Sequence, residues 1–198
     1  MAELRPFRAL RYNAGIAGDV AAALAPPYDI IDAAEQAALY QRSPHNVIRL
    51  ELAEERPGDG PEKNRYTRAA ATLSAWRRSK AVIEDEEPGF YLYAQEFEHG
   101  GRRLRRTALF GRLRLEPWET GSVRPHEETM VKPKEDRLQL LRHLRTNVSP
   151  VFALYREDAG RVARLLRTDA TVLVDATTPD GQRHSLSVLR ETAAIETI

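Results

Sequence analysis

The amino-acid sequence predicts an α+β fold, a mixed sheet with a long β-hairpin and several packed helices. Three observations carry this expectation. Residues 89–97 and 102–115 are β-rich runs on either side of His99-Gly100-Gly101, a hairpin signal. Residues 63–78 set Tyr66, Ala69, Ala70, Leu73 and Trp76 at helical spacing, on one face of an amphipathic helix. The order of the other segments is mixed, and with a long hairpin among them α+β is favoured over a doubly wound sheet.

Along the chain, residues 5–12 (RPFRALRY) read as a first strand. APPYDIID (25–32) is an irregular turn, because adjacent prolines exclude regular helix. Asp32-Ala-Ala-Glu35 has the capping-box pattern and opens a short helix, which Ser43-Pro-His-Asn46 breaks. Residues 47–52 (VIRLEL) alternate and read as a strand, and 54–61 (EERPGDGP) as a loop. The run Glu84-Asp-Glu-Glu87 reads as a solvated turn. Pro133 is placed at the first position of a helix that ends near Thr146, with Leu138, Leu141 and Leu144 marking its faces. Residues 151–155 then read as a strand, 158–166 as a helix, 171–176 and 184–189 as two strands joined by a turn at 179–181, and the segment after Arg190 as another helix. There is no internal repeat.

At 198 residues the chain makes one ample domain or two small lobes. Hydrophobic residues make up 42% and charged residues 30%, a globular balance. The net charge of +1, from 30 basic and 29 acidic residues, argues against a general nucleic-acid or membrane coat. Without cysteine there are no disulfides, thiolate metal sites or cysteine nucleophiles. The N-terminus lacks an apolar signal core, and no apolar run approaches a membrane span, so a cytoplasmic location is expected. Only four basic residues are lysine (Lys63, Lys80, Lys132, Lys134), the rest being arginine. That bias weakens any argument from a single arginine.

The densest chemistry lies in residues 124–138 (RPHEETMVKPKEDRL). So many polar residues, in a loop with two prolines, are hard to explain by packing and point to an anionic ligand. Phosphoryl transfer needs a base for the substrate hydroxyl, cations for the phosphates and usually a metal carboxylate. His126 or Glu127 fits the base. Lys132, Lys134 and Arg137, with Thr129, fit phosphate, and backbone N–H groups at the helix start add to the anion site. Asp136 either orients Arg137 or binds Mg²⁺. The plainer alternative is that Glu135 and Asp136 favour the helix N-terminus through its dipole, with His126 on a surface loop. Tyr28 and Asp29, stiffened by the two prolines, are candidates for a substrate cleft, or Asp29 simply bonds nearby backbone. Asn46 and Arg49 are candidates for the same cleft, against an ordinary ion pair for Arg49.

Zinc fails on spacing, since position 130, four residues after His126, is Met. No metal-ligand set is assigned, and neither haem nor flavin is expected. P-loop, Gly-x-Gly-x-x-Gly and Gly-x-Ser-x-Gly patterns are all missing. Arg137, Arg142, His143 and Arg145, with Arg102, Arg103, Arg105 and Arg106 on the hairpin, invite a nucleic-acid reading. The near-zero net charge weighs against it, and a solvated or ion-paired face is preferred.

Seven blocks together, RPFRALRYN (5–13), APPYDII (25–31), SPHNVIRLEL (43–52), YTRAAATLSAW (66–76), FYLYAQEF (90–97), RPHEETMVKPKEDRLQLLRHLRTNVSP (124–150) and VFALY (151–155), resemble the DUF1015 family, a conserved domain of unknown function. The resemblance runs in order over nearly the whole chain. It implies a family about twice as long, whose second half holds a segment like Ala-Asp-Gly-His-His-Arg-Tyr. That segment resembles the phosphate-contacting motif of ParB-like and sulfiredoxin-like proteins, some of whose relatives are free-serine kinases. It is absent here, so the chain is expected to be a truncated N-terminal region whose partner is the missing C-terminal half. The resemblance implies a kinase of serine or a similar hydroxylated metabolite, using ATP or ADP with Mg²⁺ and binding a phosphorylated small molecule. His126 or Glu127 would be its base, and Lys134 and Arg137 its phosphate ligands. Two alternatives stay open: a non-catalytic nucleotide- or nucleic-acid-binding regulator, and an inactive fragment that self-associates through exposed apolar surface.

Overall fold

The computed structural model describes residues 3–125, 130–155, 160 and 170–190. Its backbone divides into two units, residues 1–11, 84–126 and 154–198 forming the first and residues 12–83 and 127–153 the second. Helices and antiparallel strands are both present, as an α+β fold requires.

The first unit is built on strands. The segment expected as one strand over 5–12 is split into β1 (Leu4–Arg5) and β2 (Leu10–Tyr12). Pro6 lies between them and has no N–H for a ladder. Phe7 instead makes an isolated bridge to Gly89, each N–H 3.0 Å from the other's carbonyl. β3 (Val82–Glu84) begins in the chain segment of the second unit and ends at the first residue of the next segment of the first, where the hairpin is β4 (Phe90–His99) and β5 (Arg102–Phe110), followed by β6 (Arg112–Leu113), which pairs with β1. Gly100 and Gly101 turn the hairpin with φ of 57° and 71°, the left-handed pair that a two-residue turn demands. With β7 (Thr171–Thr177) and β8 (Arg183–Leu189), the hairpin forms an antiparallel sheet in the order β5-β4-β8-β7.

The core of this unit gathers Phe90, Tyr91, Leu92, Val188 and Leu189, all buried. Gly89 permits the packing, since a Cβ there would lie 2.7 Å from Val188 Cγ2. Asp85 corrects the reading of 84–87 as a solvated turn, because its side chain is only 2% exposed. Tyr91 Oη donates to it at 2.6 Å and Arg11 Nε at 2.7 Å, and Arg190 Nη2 lies at 3.3 Å. Arg8 donates to its carbonyl at 2.7 Å, and its own N–H reaches Ala9 O at 2.9 Å. Burial raises the Asp85 carboxyl, but the Tyr91 and Arg11 hydrogen bonds and the Arg11 and Arg190 charges outweigh it and hold the group below its ordinary value. The same burial, reinforced by Asp85, pushes the Tyr91 phenol up to about 12.

The second unit is helical: α1 (Ala14–Ala17), α2 (Val20–Ala23), α3 (Ala33–Arg42), α4 (Ile48–Glu51), α5 (Arg65–Arg78) and α6 (Val131–Leu144). The first helices start at side-chain caps. Asn13, Asp19 and Asp32 each accept a backbone N–H, and Asn64 with Thr67 closes a full capping box on α5. Residues 47–52, expected as a strand, are instead the helix α4. Asn46 explains the difference. It is fully buried, its Oδ1 accepts from Ile48 N–H at 3.0 Å, and its Nδ2 donates to Ala22 O and Leu24 O at 2.8 Å. That anchor starts a helical turn, and Ile48 and Leu50 are both buried within it. Helix α5 buries Ala69, Leu73 and Trp76 on its expected face and packs against α4 and α6. In α6 the buried pair is Leu140 and Leu144, one turn apart, while Leu138 and Leu141 stay largely exposed.

The strand expected over 151–155 is not formed. These residues have no regular structure and are exposed. An apolar alternation becomes a strand only where a neighbouring strand takes up its N–H and C=O groups. The helices expected over 158–166 and after Arg190 lie outside the described residues. No described helix is long and apolar enough to cross a membrane.

Asp85 makes the first unit sensitive to acid. Its native value lies below the unfolded one, so its contribution is full above the unfolded carboxylate value of about 3.9 and lost as pH falls through the lowered native value. Replacing Asp85→Ala leaves Arg11 and the Tyr91 hydroxyl without their acceptor and costs about 3 kcal/mol in urea unfolding at neutral pH. The difference between wild type and variant narrows as pH drops below about 4.

Candidate functional site

The second unit gathers ionic side chains from four elements around Asp136 and Arg137 in α6. Asp136 follows the first turn of that helix and faces α5. Arg65 forms an ion pair with it, Tyr66 Oη donates to it at 2.7 Å, and Arg137 Nε and Nη2 donate at 3.0 and 2.5 Å. Arg137 in turn reaches α4, where Nη2 donates to Glu51 O at 2.9 Å and Nη1 to Glu51 Oε1 at 3.4 Å. Its guanidinium lies over the ring of Tyr28, 3.9 Å from the centroid, in the 3₁₀ turn Tyr28–Ile30. Four of its five N–H groups are thus engaged, and one on Nη1 is without an acceptor among the described residues. On the outer side Arg65 pairs with Glu55 at 3.4 Å and Tyr66 stacks on His143 with centroids 5.6 Å apart.

The electrostatics follow from this arrangement. Burial raises Asp136, yet hydrogen bonds from Tyr66 and Arg137 and the charges of Arg137 and Arg65 hold its carboxyl below the ordinary value. Glu51 is shifted the opposite way. Burial raises it, Arg137 opposes, and the nearby charge of Asp29 adds to the rise. Tyr66 is raised by burial and by its bond to Asp136, against the pull of Arg65.

Helix α6 starts two residues earlier than Pro133 suggests, at Val131. Proline still falls in the first turn, where its missing N–H breaks no intrahelical bond. The shift moves Glu135 and Asp136 beyond the first turn, which weakens their explanation as dipole partners. Lys132 takes their place in that turn and Lys134 follows at once. Both are exposed, and neither has an ionic partner among the described residues. The N-cap residue is Met130, whose side chain makes no capping bond, and the first turn has no acidic residue. Lys134 and Arg137, three positions apart, are neighbours on one helix face.

The other sequence candidates divide. His126, Glu127 and Thr129 lie outside the described residues. Tyr28 joins the cluster as a platform for Arg137, and Asp29 joins it electrostatically through Glu51. Asn46 does not join, because all its hydrogen bonds go to backbone around α2 and α4. Arg49 is likewise engaged elsewhere. It stacks on Tyr40 at 4.3 Å and donates to Tyr40 O at 2.6 Å, closing the C-terminal end of α3. Asp136 is enclosed by two guanidiniums and a phenol, which does not fit Mg²⁺. Among the described residues no group of three His, Asp or Glu side chains is arranged to hold a metal. Sequence reasoning missed Glu51, Arg65, Tyr66 and His143. Tyr66 stands on the apolar stripe of α5 and reads as core, and His143 groups with the basic residues of α6 as a solvated face.

The model of one protein family matches residues 4–198: DUF1015, described as a protein of unknown function. No curated protein and no solved structure matches the chain. The kinship with ParB-like and sulfiredoxin-like proteins gains no support from these comparisons.

Asp136→Asn removes the charge shared by two guanidiniums and costs about 2 kcal/mol in urea unfolding, while Tyr66→Phe costs about 1 kcal/mol. The double variant costs less than the sum, because both act on one network. A strictly additive result would show that the phenol and the carboxylate stabilise α6 separately.

Proposed function

Starting from the fact that the chain belongs to the DUF1015 family, we propose that its second unit binds the phosphate of a small phosphorylated metabolite or nucleotide at the start of α6, as part of a small-molecule phosphotransferase. One observation carries this reading. Among the described residues Lys132 and Lys134 have no ionic partner, and both are exposed at the positive end of a 14-residue helix with no acidic residue in its first turn. The helix dipole disfavours cations there, by about 0.3–1 kcal/mol each. An anion reverses the sign of that cost, since it gains the lysines, the free N–H groups of the turn and the dipole together. Arg137 follows Lys134 one turn on along α6 and adds positive charge close to the lysines. Asp136, Glu51 and Tyr28 hold that guanidinium in place, so that little ordering is left for the ligand to bring about.

Within this reading the acceptor is serine or a similar hydroxylated metabolite and ATP is the phosphoryl donor. The hydroxyl oxygen attacks the γ-phosphorus, the bond to the leaving ADP oxygen breaks, and the hydroxyl proton passes to His126 or Glu127. In this reading Lys132, Lys134 and Arg137 bind and orient the phosphate.

Calorimetric titration with ATP and with phosphoserine tests the binding half. Wild type binds at least one of them, and Lys132→Glu with Lys134→Glu weakens binding more than tenfold while leaving thermal unfolding nearly unchanged. Equal affinity of variant and wild type would remove the site. Formation of phosphoserine from ATP and serine tests the chemical half. Binding without turnover over a panel of hydroxy amino acids would leave a phosphate-binding protein and exclude the kinase.

A further inference from the structure

Cross-strand alternation sorts the charges of the β4–β5 hairpin onto two unlike faces. The register places Glu96 opposite Arg105 and Glu98 opposite Arg103 on one face. That face is balanced, and Arg103 donates to Glu96 at 2.8 Å. The other face pairs Gln95 with Arg106, Phe97 with Leu104 and His99 with Arg102. It holds two arginines and a histidine and no acid. Both arginines and Leu104 are exposed, and Arg106 lies over the half-buried ring of Phe97, 5.5 Å from its centroid. The hairpin also outruns its sheet. Strand β8 pairs with β4 only from Phe90 to Glu96, so residues 97–104 project past it.

We propose that this projecting end is an arm that binds single-stranded nucleic acid through its acid-free face. The chemistry matches in alternation. Arg102 and Arg106, about 14 Å apart along the strand, meet backbone phosphates. Between them Phe97 and Leu104 offer apolar and π surface on which bases stack. An acidic peptide would satisfy the arginines but not this interleaving, and duplex DNA keeps its bases stacked away from it. The near-neutral charge of the whole chain conceals the segregation, because acids elsewhere in the chain offset these two arginines.

The test is fluorescence anisotropy of the whole chain with labelled oligo-dT and oligo-rU at several salt concentrations. Wild type binds one or both, and more weakly as salt rises. Arg102→Glu with Arg106→Glu lowers affinity at least tenfold. Arg103→Glu with Arg105→Glu changes net charge equally on the opposite face and lowers it less than threefold. Circular dichroism checks that both fold, and Arg102→Gln with Arg106→Gln, and Phe97→Leu, give the milder series, each weakening binding. Four results overturn the proposal: no binding by wild type at low salt, equal losses from the two charge reversals, equal competition by a polyglutamate peptide, or tighter binding of duplex than of single strand.

Discussion

A carboxylate taken out of water must be matched by donors and positive charge, and each unit of this protein is organised around one such match. In the first, Asp85 collects Arg11, Arg190 and the Tyr91 hydroxyl, and so fastens the N-terminal segment to the start of the hairpin. In the second, Asp136 collects Arg65, Tyr66 and Arg137, and fastens α6 to α5. Arg137 extends the second match to α4 and to the Tyr28 turn. Removing either acid leaves cations facing each other with no anion between them.

The same constraint divides work between the two kinds of cation. Arginine, with a planar fork of five donors, makes most of the ion pairs within the fold: to Asp59, Asp85, Asp136, Asp175 and Glu51. Lysine, a mobile point charge, is almost absent, and two of the four lysines stand together at the start of α6. In a chain so rich in arginine, the two lysines at the start of α6, without an acidic partner among the described residues, are the informative cations. They stand where a helix already favours an anion.

Segments with strong local signals were legible in the sequence. The Gly-Gly hairpin, the α5 stripe of Ala69, Leu73 and Trp76, and the strands around 171–189 all formed where periodicity and turn chemistry placed them. VIRLEL was misread because its alternation is also compatible with a single helical turn, and the deciding vote belongs to Asn46, whose partners Ala22 and Leu24 lie more than 20 residues away. VFALY was misread because a strand is a property of a pair. The site was half legible: residues 124–138 stood out by composition, and of these Asp136 and Arg137 join the cluster, whereas Glu51, Arg65, Tyr66 and His143 looked like ordinary helix or strand positions.

What the sequence determined alone was the list of parts: an α+β chain of the DUF1015 family, its hairpin, its long helices and the polar segment leading into α6. Those follow from interactions between residues close in sequence, which period, caps and turns record. The tertiary structure decided what each charge does. Arg137 is held rather than free, Asp136 is enclosed by cations, and Lys132 and Lys134 are left facing outward. Asp136 meets Arg65 across 71 residues and Arg137 meets Glu51 across 86, and no local pattern encodes a contact at that separation. Charge alone names many partners for an arginine, and only the packing of the helices selects one.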